Sequence, residues 1–141
     1  MPNILEQEVL FRRSLGLFSD IVAKEMYRLQ DLSDNNLVLR PEGTCGVLRF
    51  LLNNHDLLRP IARRPQKFHY SGPMFRYERP QSGRLRQFYQ LGIERLGGDA
   101  HPLHDFEVID LGLRFLHAVL PGHEFVVEVN TLGTREELRA Y

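Results

Sequence analysis

Between residues 103 and 120, apolar side chains recur at steps of three and four: Phe106, Ile109, Leu113, Leu116 and Leu120. That period puts them on one stripe of an α-helix, which Pro121-Gly122 ends. A second helix is predicted from near Thr44, where turn residues give way to Val47, Leu48, Leu51 and Leu52 at helical spacing. A shorter one is expected over residues 4–15, with Leu5, Val9 and Phe11 facing inward. Elsewhere the period drops to two. The stretch "EMYRLQDLSDNNLVLR" reads as two strands around a polar turn at Asp31 to Asn36. "ARRPQKFHYSGPMFRYE" and "LRQFYQLGIERLG" read as a hairpin, the first strand with an irregularity at Gly72-Pro73. "FVVEVNTLG" is one further predicted strand, and Thr134 with Glu137 has the spacing of a capping box that opens a last helix. Hairpins imply antiparallel pairing, so the fold class is α+β, an antiparallel sheet flanked by helices.

Alternation along the hairpin separates two faces. Phe88, Gln90, Gly92 and Glu94 share one side of the second strand, and Arg76 and Glu78 share one side of the first. The opposite side, with Phe75, Leu91 and Ile93, is expected to be core. The Arg76 side combines a forked cation, an aromatic ring, carboxylates and an amide. Gly92 is expected to leave an opening among them. A guanidinium matches phosphate oxygens two at a time, an aromatic face accepts a stacked base, and a carboxylate accepts from an ammonium or an imidazole N–H. The connecting "RPQSGRLR" adds Arg79, Arg84 and Arg86, placed to close over a polyphosphate or a nucleic-acid end. The plainer alternative is a solvated hairpin of mixed charge.

Composition narrows the classes. The chain has 141 residues, enough for one domain with its own core, and 43% apolar with 26% charged residues is ordinary for a globular chain. Lys plus Arg (18) balances Asp plus Glu (18), so any contact with nucleic acid is local rather than spread over the surface. Cys45 is the single cysteine, which excludes an internal disulfide and suits a reducing compartment. No apolar run approaches the roughly 20 residues of a membrane span. No export signal is visible at the N-terminus, so a cytoplasmic location is expected.

The ordered motif "GPMFRYERPQSGRLRQFYQLGIE" resembles motif 2 of the class II aminoacyl-tRNA synthetases, in the form found in histidyl-tRNA synthetases. Upstream, "LVLRPEGTCG" resembles that family's amino-acid-binding segment, and "KEMYRL" and "VNTLGTREELRAY" resemble family segments in the same order. The resemblance implies activation of L-histidine by ATP, with Mg²⁺, to histidyl-adenylate, followed by transfer to the acceptor end of tRNA(His). It implies Arg76 as the catalytic residue at the α-phosphate. Arg76, Glu78, Arg84 and Phe88 form the implied ATP set. Glu42, Gly43, Thr44, Arg76, Gln90 and Glu94 form the implied histidine set, with Glu94 reading the imidazole. It further implies a class II catalytic-domain type of sheet and a homodimer for a full-length protein. Residues 1–141 are expected to be the central piece of the catalytic domain. The motif 1 helix, the histidine-specific R-G-L-D-Y-Y segment, motif 3 and the anticodon-binding domain are expected to be absent, which would leave weak activity at best.

Two other readings remain open at this level. A non-catalytic synthetase-like paralogue would serve as a regulatory subunit of ATP phosphoribosyltransferase or as a tRNA sensor. Such paralogues tend to lose substrate-binding residues, whereas Glu42, Thr44, Gln90 and Glu94 are all present. His101 and His104 would share a helix face as metal ligands, but a third ligand is missing, so no metal site is assigned.

Overall fold

A computed structural model describes residues 3–16 and 19–130. The backbone divides into two units, Met1–Val108 and Ile109–Tyr141. Strand β1 (Leu5–Gln7) leads directly into helix α1 (Glu8–Leu15). A single π-helical turn (Ile21–Glu25) precedes β2 (Arg28–Gln30) and β3 (Asn36–Leu39). Helices α2 (Thr44–Asn53) and α3 (His55–Leu58) follow, then the long hairpin β4 (Gln66–Phe75) and β5 (Gln87–Leu96), then α4 (Pro102–Val119).

The helix expected over residues 4–15 begins later. Leu5–Gln7 instead pairs antiparallel with β3, Leu5 opposite Leu39 and Gln7 opposite Leu37. Three extended residues gain a sheet partner that the local period could not reveal, and Leu5 and Val9 stay exposed while Phe11 is buried. The β2–β3 hairpin is as expected. Asp31 closes its turn by accepting from the backbone N–H groups of Ser33 and Asn35 and from the Asn35 amide. Strand order in this sheet is β1-β3-β2. Its buried Val38 joins Phe11, Val22, Met26 and Cys45 in one cluster, so the sheet, α1, the π-helical turn and α2 share a core.

The hairpin forms a second body of structure. Its register runs unbroken from Gln66 opposite Leu96 to Phe75 opposite Gln87, straight through Gly72-Pro73. The expected irregularity is absent for a geometric reason. The Pro73 carbonyl points away from β5 and accepts from Arg40 Nε at 2.9 Å, so the missing N–H falls on the outer edge and costs the ladder nothing. Val47 of α2 packs with Tyr70 and Met74 of β4 in a second buried cluster, with Phe68, Phe88 and Leu96 against it.

Helix α4 matches its predicted bounds to within a residue, but its stripe is not core. Phe106 is 63% exposed, and Ile109, Leu116 and Leu120 are exposed as well. Periodicity decides which residues share a face; it does not supply the surface that covers them. Residues 125–130 are not a strand, and Val126 is 88% exposed. An extended segment becomes a strand only by pairing. The rest of that expected strand and the capping box at Thr134 lie outside the described residues.

Burial, followed by the neighbouring Glu42 carboxylate, pushes the Cys45 thiol up to about 12. A thiol raised that far stays protonated throughout the neutral range. We expect Cys45 to resist alkylation by iodoacetamide at pH 8 in the native chain and to react once the chain is unfolded in urea, with mass spectrometry as the readout. Truncating the buried ring in Phe11→Ala removes the centre of the first cluster. It is expected to cost about 3–5 kcal/mol, read as a shifted urea midpoint.

Candidate active site

Register settles which side of the hairpin is covered. Opposed residues share a face, so Phe68, Tyr70, Gly72 and Met74 line up with Glu94, Gly92, Gln90 and Phe88. This is the face that α2 packs on. The opposite face, expected from its Phe75, Leu91 and Ile93 to be core, is the open one: Tyr89 is 77% exposed and Leu91 is exposed too. Hydropathy pointed the wrong way here. The covered side owes its burial to one helix and one tyrosine, and it keeps polar groups among them.

The segment before α2 organises one end of the site. Glu42 is only 8% exposed, and both its carboxylate oxygens are used. One accepts from the Thr44 N–H at 2.7 Å and the other from the Cys45 N–H at 2.9 Å. These are orphan donors of the first turn of α2, and the negative charge sits at the positive end of the helix dipole. A carboxylate oxygen has a second acceptor position, so the cap does not exhaust Glu42. The Thr44 hydroxyl donates to Glu94 Oε1 at 2.6 Å, across 50 residues of sequence.

The opening expected at Gly92 is filled. Tyr70, 7% exposed, lies with its ring against both Gly92 and Gly43. A Cβ at Gly92 would come within 2.1 Å of that ring, and one at Gly43 within 2.2 Å. Burial pushes the Tyr70 hydroxyl up, and the Glu94 and Glu42 charges add to it, against the opposing effect of hydrogen bonds from Thr44 and the Gly43 backbone. One residue pair nearer the loop, the Gln90 Oε1 is buried with no hydrogen-bond partner among the described residues. A buried acceptor left open is costly unless something fills it.

The other end of the face is built for anions. Arg76 is aimed by its Nε, which donates to the Pro41 carbonyl at 2.9 Å, and its guanidinium lies 5.1 Å from the centroid of the Phe88 ring. Glu78 stands between two cations, 3.9 Å from Arg76 and 3.7 Å from Arg84. Both separations exceed hydrogen-bond length, so neither fork is committed to the carboxylate. Arg76, Glu78, Arg84 and Phe88 line one cleft of ≈ 570 Å³, together with Glu25, Gly83, Leu85 and Tyr89. Arg86 turns elsewhere: its Nε donates to the Glu78 carbonyl, and its guanidinium lies 4.7 Å from the Tyr77 ring. The loop closes at Ser82-Gly83, where Gly83 takes a positive φ of 80°.

Sequence reasoning missed two members of this face. Tyr70 was within reach, since alternation carried back from Arg76 through Met74 and Gly72 arrives at it. Glu25 had no local signal, because only the Tyr77 N–H donating to the Glu25 carbonyl at 2.7 Å brings the π-helical turn to the cleft. His101 and His104 are engaged otherwise than as ligands. His104 Nε2 lies 2.7 Å from Asp99 Oδ1, and His101 Nδ1 accepts from the Leu103 N–H. Among the described residues no group of three His, Cys, Asp or Glu could hold a metal ion, and no helix is long and apolar enough to cross a membrane.

Comparison with solved structures identifies the architecture. The apo histidyl-tRNA synthetase of S. aureus superimposes with a TM-score of 0.62 at 30% identity, covering 87% of this chain and 26% of that one. A Bacillus halodurans protein described as an ATP phosphoribosyltransferase regulatory subunit/histidyl-tRNA synthetase does so with the same score and identity, over 82% of this chain and 27% of that one. The α+β arrangement of antiparallel hairpin and capped helix is thus of the class II aminoacyl-tRNA synthetase catalytic-domain type. Within that class, the model of the histidyl-tRNA synthetase family matches residues 8–140, and the chain belongs to that family. The histidine–tRNA ligase of Levilactobacillus brevis is 50% identical over 98% of this chain and 31% of its own length. This chain therefore spans about a third of the length of the curated relatives it matches.

The two glycines that grip Tyr70 make a direct test of the geometry. In Gly92→Ala the new Cβ must displace a buried ring, so the chain is expected to lose about 1–3 kcal/mol of stability in a urea titration. The exposed Gly112, where a Cβ would meet nothing within 4 Å, serves as the control.

Proposed function

We propose that residues 1–141 form the part of a histidine–tRNA ligase catalytic domain that binds histidine and the phosphate side of ATP. The reaction of the whole protein would be activation of histidine to histidyl-adenylate and transfer to the acceptor end of tRNA(His). The observation that carries this reading is the continuity of one face. The cleft of Arg76, Glu78, Arg84 and Phe88 lies at one end, the Thr44–Glu94 pair at the other, and the open Gln90 carbonyl between them on the strand.

Each group then has a chemical task. Arg76, already aimed by Pro41, uses its two terminal nitrogens to neutralise charge on the α-phosphate as the histidine carboxylate attacks and pyrophosphate leaves. Arg84 and Glu78 border the remaining phosphates and the nucleotide, and Phe88 offers a face to the base. Gln90 Oε1 accepts from the α-ammonium, with Glu42, Gly43 and Thr44 shaping that end of the pocket. Glu94 has one oxygen taken by Thr44 and keeps the other for an imidazole N–H. Mg²⁺ would arrive on the phosphates, as it usually does, with Glu78 and Glu25 the carboxylates lining that cleft. Positioning and charge neutralisation supply the rate. We further propose a homodimer and a cytoplasmic location for the full-length protein.

A non-catalytic regulatory subunit is the second reading, favoured by the Bacillus halodurans protein that is described in both terms. The complete set of substrate-facing side chains supports the ligase. Histidine-dependent exchange of pyrophosphate into ATP tests the choice: exchange above background supports activation, and binding of both substrates without exchange favours the regulatory reading. Arg76→Ala is expected to weaken ATP about ten- to a hundredfold in calorimetry, the equivalent of about 1.5–3 kcal/mol for a charge-assisted contact. Glu94→Gln and Glu94→Ala are expected to weaken histidine and to narrow its margin over other amino acids. Parental affinity and selectivity in both variants would take the imidazole-reading role from Glu94.

A further inference from the structure

We infer that Tyr70 is a positioning residue of the amino-acid pocket: its hydroxyl donates to Thr44 Oγ1, which commits the Thr44 proton to Glu94 Oε1 and leaves Oε2 as the one open acceptor for a ligand N–H. The inference rests on the histidine reading above and deepens it.

The direction follows from counting protons. An ionised carboxylate can only accept, and a threonine hydroxyl has a single proton to give. The 2.6 Å separation between Thr44 Oγ1 and Glu94 Oε1 is that of an O–H donating to a charged oxygen. The Thr44 proton is therefore spent on Glu94, and the Thr44 oxygen can only accept from its other neighbour. That neighbour is the Tyr70 hydroxyl, which is hydrogen-bonded to the Thr44 side chain. The Gly43 backbone also bonds the phenol oxygen, with an N–H that must donate, so the phenol proton points away from Gly43 and toward Thr44. The relay runs one way, from Gly43 N–H to Tyr70, to Thr44, to Glu94.

Packing keeps the first member from turning. Tyr70 is buried, and its ring is held between Gly43 and Gly92, where even a methyl group would collide. The phenol thus arrives at Thr44 from a fixed direction. Thr44 is itself anchored, because its N–H is bound by the capping Glu42. Hydrogen bonds in such a chain polarise one another, so loss of the phenol weakens the next donor as well. The consequence is chemical selection. A carboxylate that is rigid, half-occupied and acceptor-only favours a side chain with a correctly placed N–H and leaves an unpaired buried acceptor opposite any that lacks one.

The test uses Tyr70→Phe, which keeps the ring between the glycines, Thr44→Val, which keeps the shape of the threonine, and the double variant. Circular dichroism checks each fold. Titration with L-histidine by calorimetry is expected to show about a tenfold weaker affinity in Tyr70→Phe. The double variant is expected to bind no more weakly than Thr44→Val alone, because both changes cut the same relay. Parental affinity in Tyr70→Phe, or full additivity in the double variant, overturns the proposal. A second readout needs no ligand: with ¹³Cζ-labelled tyrosine, the Tyr70 resonance is expected to move in Thr44→Val, and an unmoved resonance overturns the relay. Should the parent chain bind no histidine, the functional reading fails, and the resonance still decides the relay.

Discussion

Three hydrogen bonds between residues 40–41 and the end of β4 hold the two halves of the first unit in register. The Phe75 N–H donates to the Arg40 carbonyl, Arg40 Nε to the Pro73 carbonyl, and Arg76 Nε to the Pro41 carbonyl, all at 2.9–3.0 Å. Arg40 also donates its own N–H to the Ile4 carbonyl beside β1, so a single buried residue ties the three-stranded sheet to the hairpin. Burying a guanidinium is costly, and burial lowers the Arg40 pKa accordingly. That cost is offset by bonds that no neutral side chain of similar reach could make. Everything functional depends on this seam, because it aims Arg76 and fixes where α2 starts.

Charge is handled differently at the two ends of the site. At the α2 end each charge is tightly partnered: Glu42 caps the helix, and Glu94 is held by Thr44. At the loop end the contacts of Glu78 with Arg76 and Arg84 are long, and the forks remain available. Tight partners suit the recognition of a small, rigid substrate, where a misplaced acceptor loses selectivity. Loose ones suit a polyphosphate, whose own oxygens can replace the carboxylate as partner.

The glycines beside Tyr70 show how packing reshapes a reading made from composition. A glycine in a strand signals close approach, and the approach was expected to be a ligand's. It is a ring of the protein itself, which fills the space over Gly92 and carries a hydroxyl into the pocket. The cleft lies further along the same face, between Phe88 and the loop.

Much was legible in the residues alone. Period two in the hairpin placed Arg76, Phe88, Gln90 and Glu94 on one side, and period 3.6 located α2 and α4, because both periods are local consequences of backbone geometry. The motif around Arg76 carried the family, since it is a long ordered string. What a local pattern cannot hold is the partner of a face or an edge. Leu5–Gln7 became a strand because β3 lies beside it, and residues 125–130 stayed without regular structure. The hairpin buried its polar side because α2 packs there, and the stripe of α4 stayed exposed. Glu25 reached the cleft through one backbone bond to Tyr77. Side-chain period is a property of a segment, whereas burial, pairing and the proton direction at Glu94 belong to contacts between segments far apart in the chain, and those exist only once it has folded.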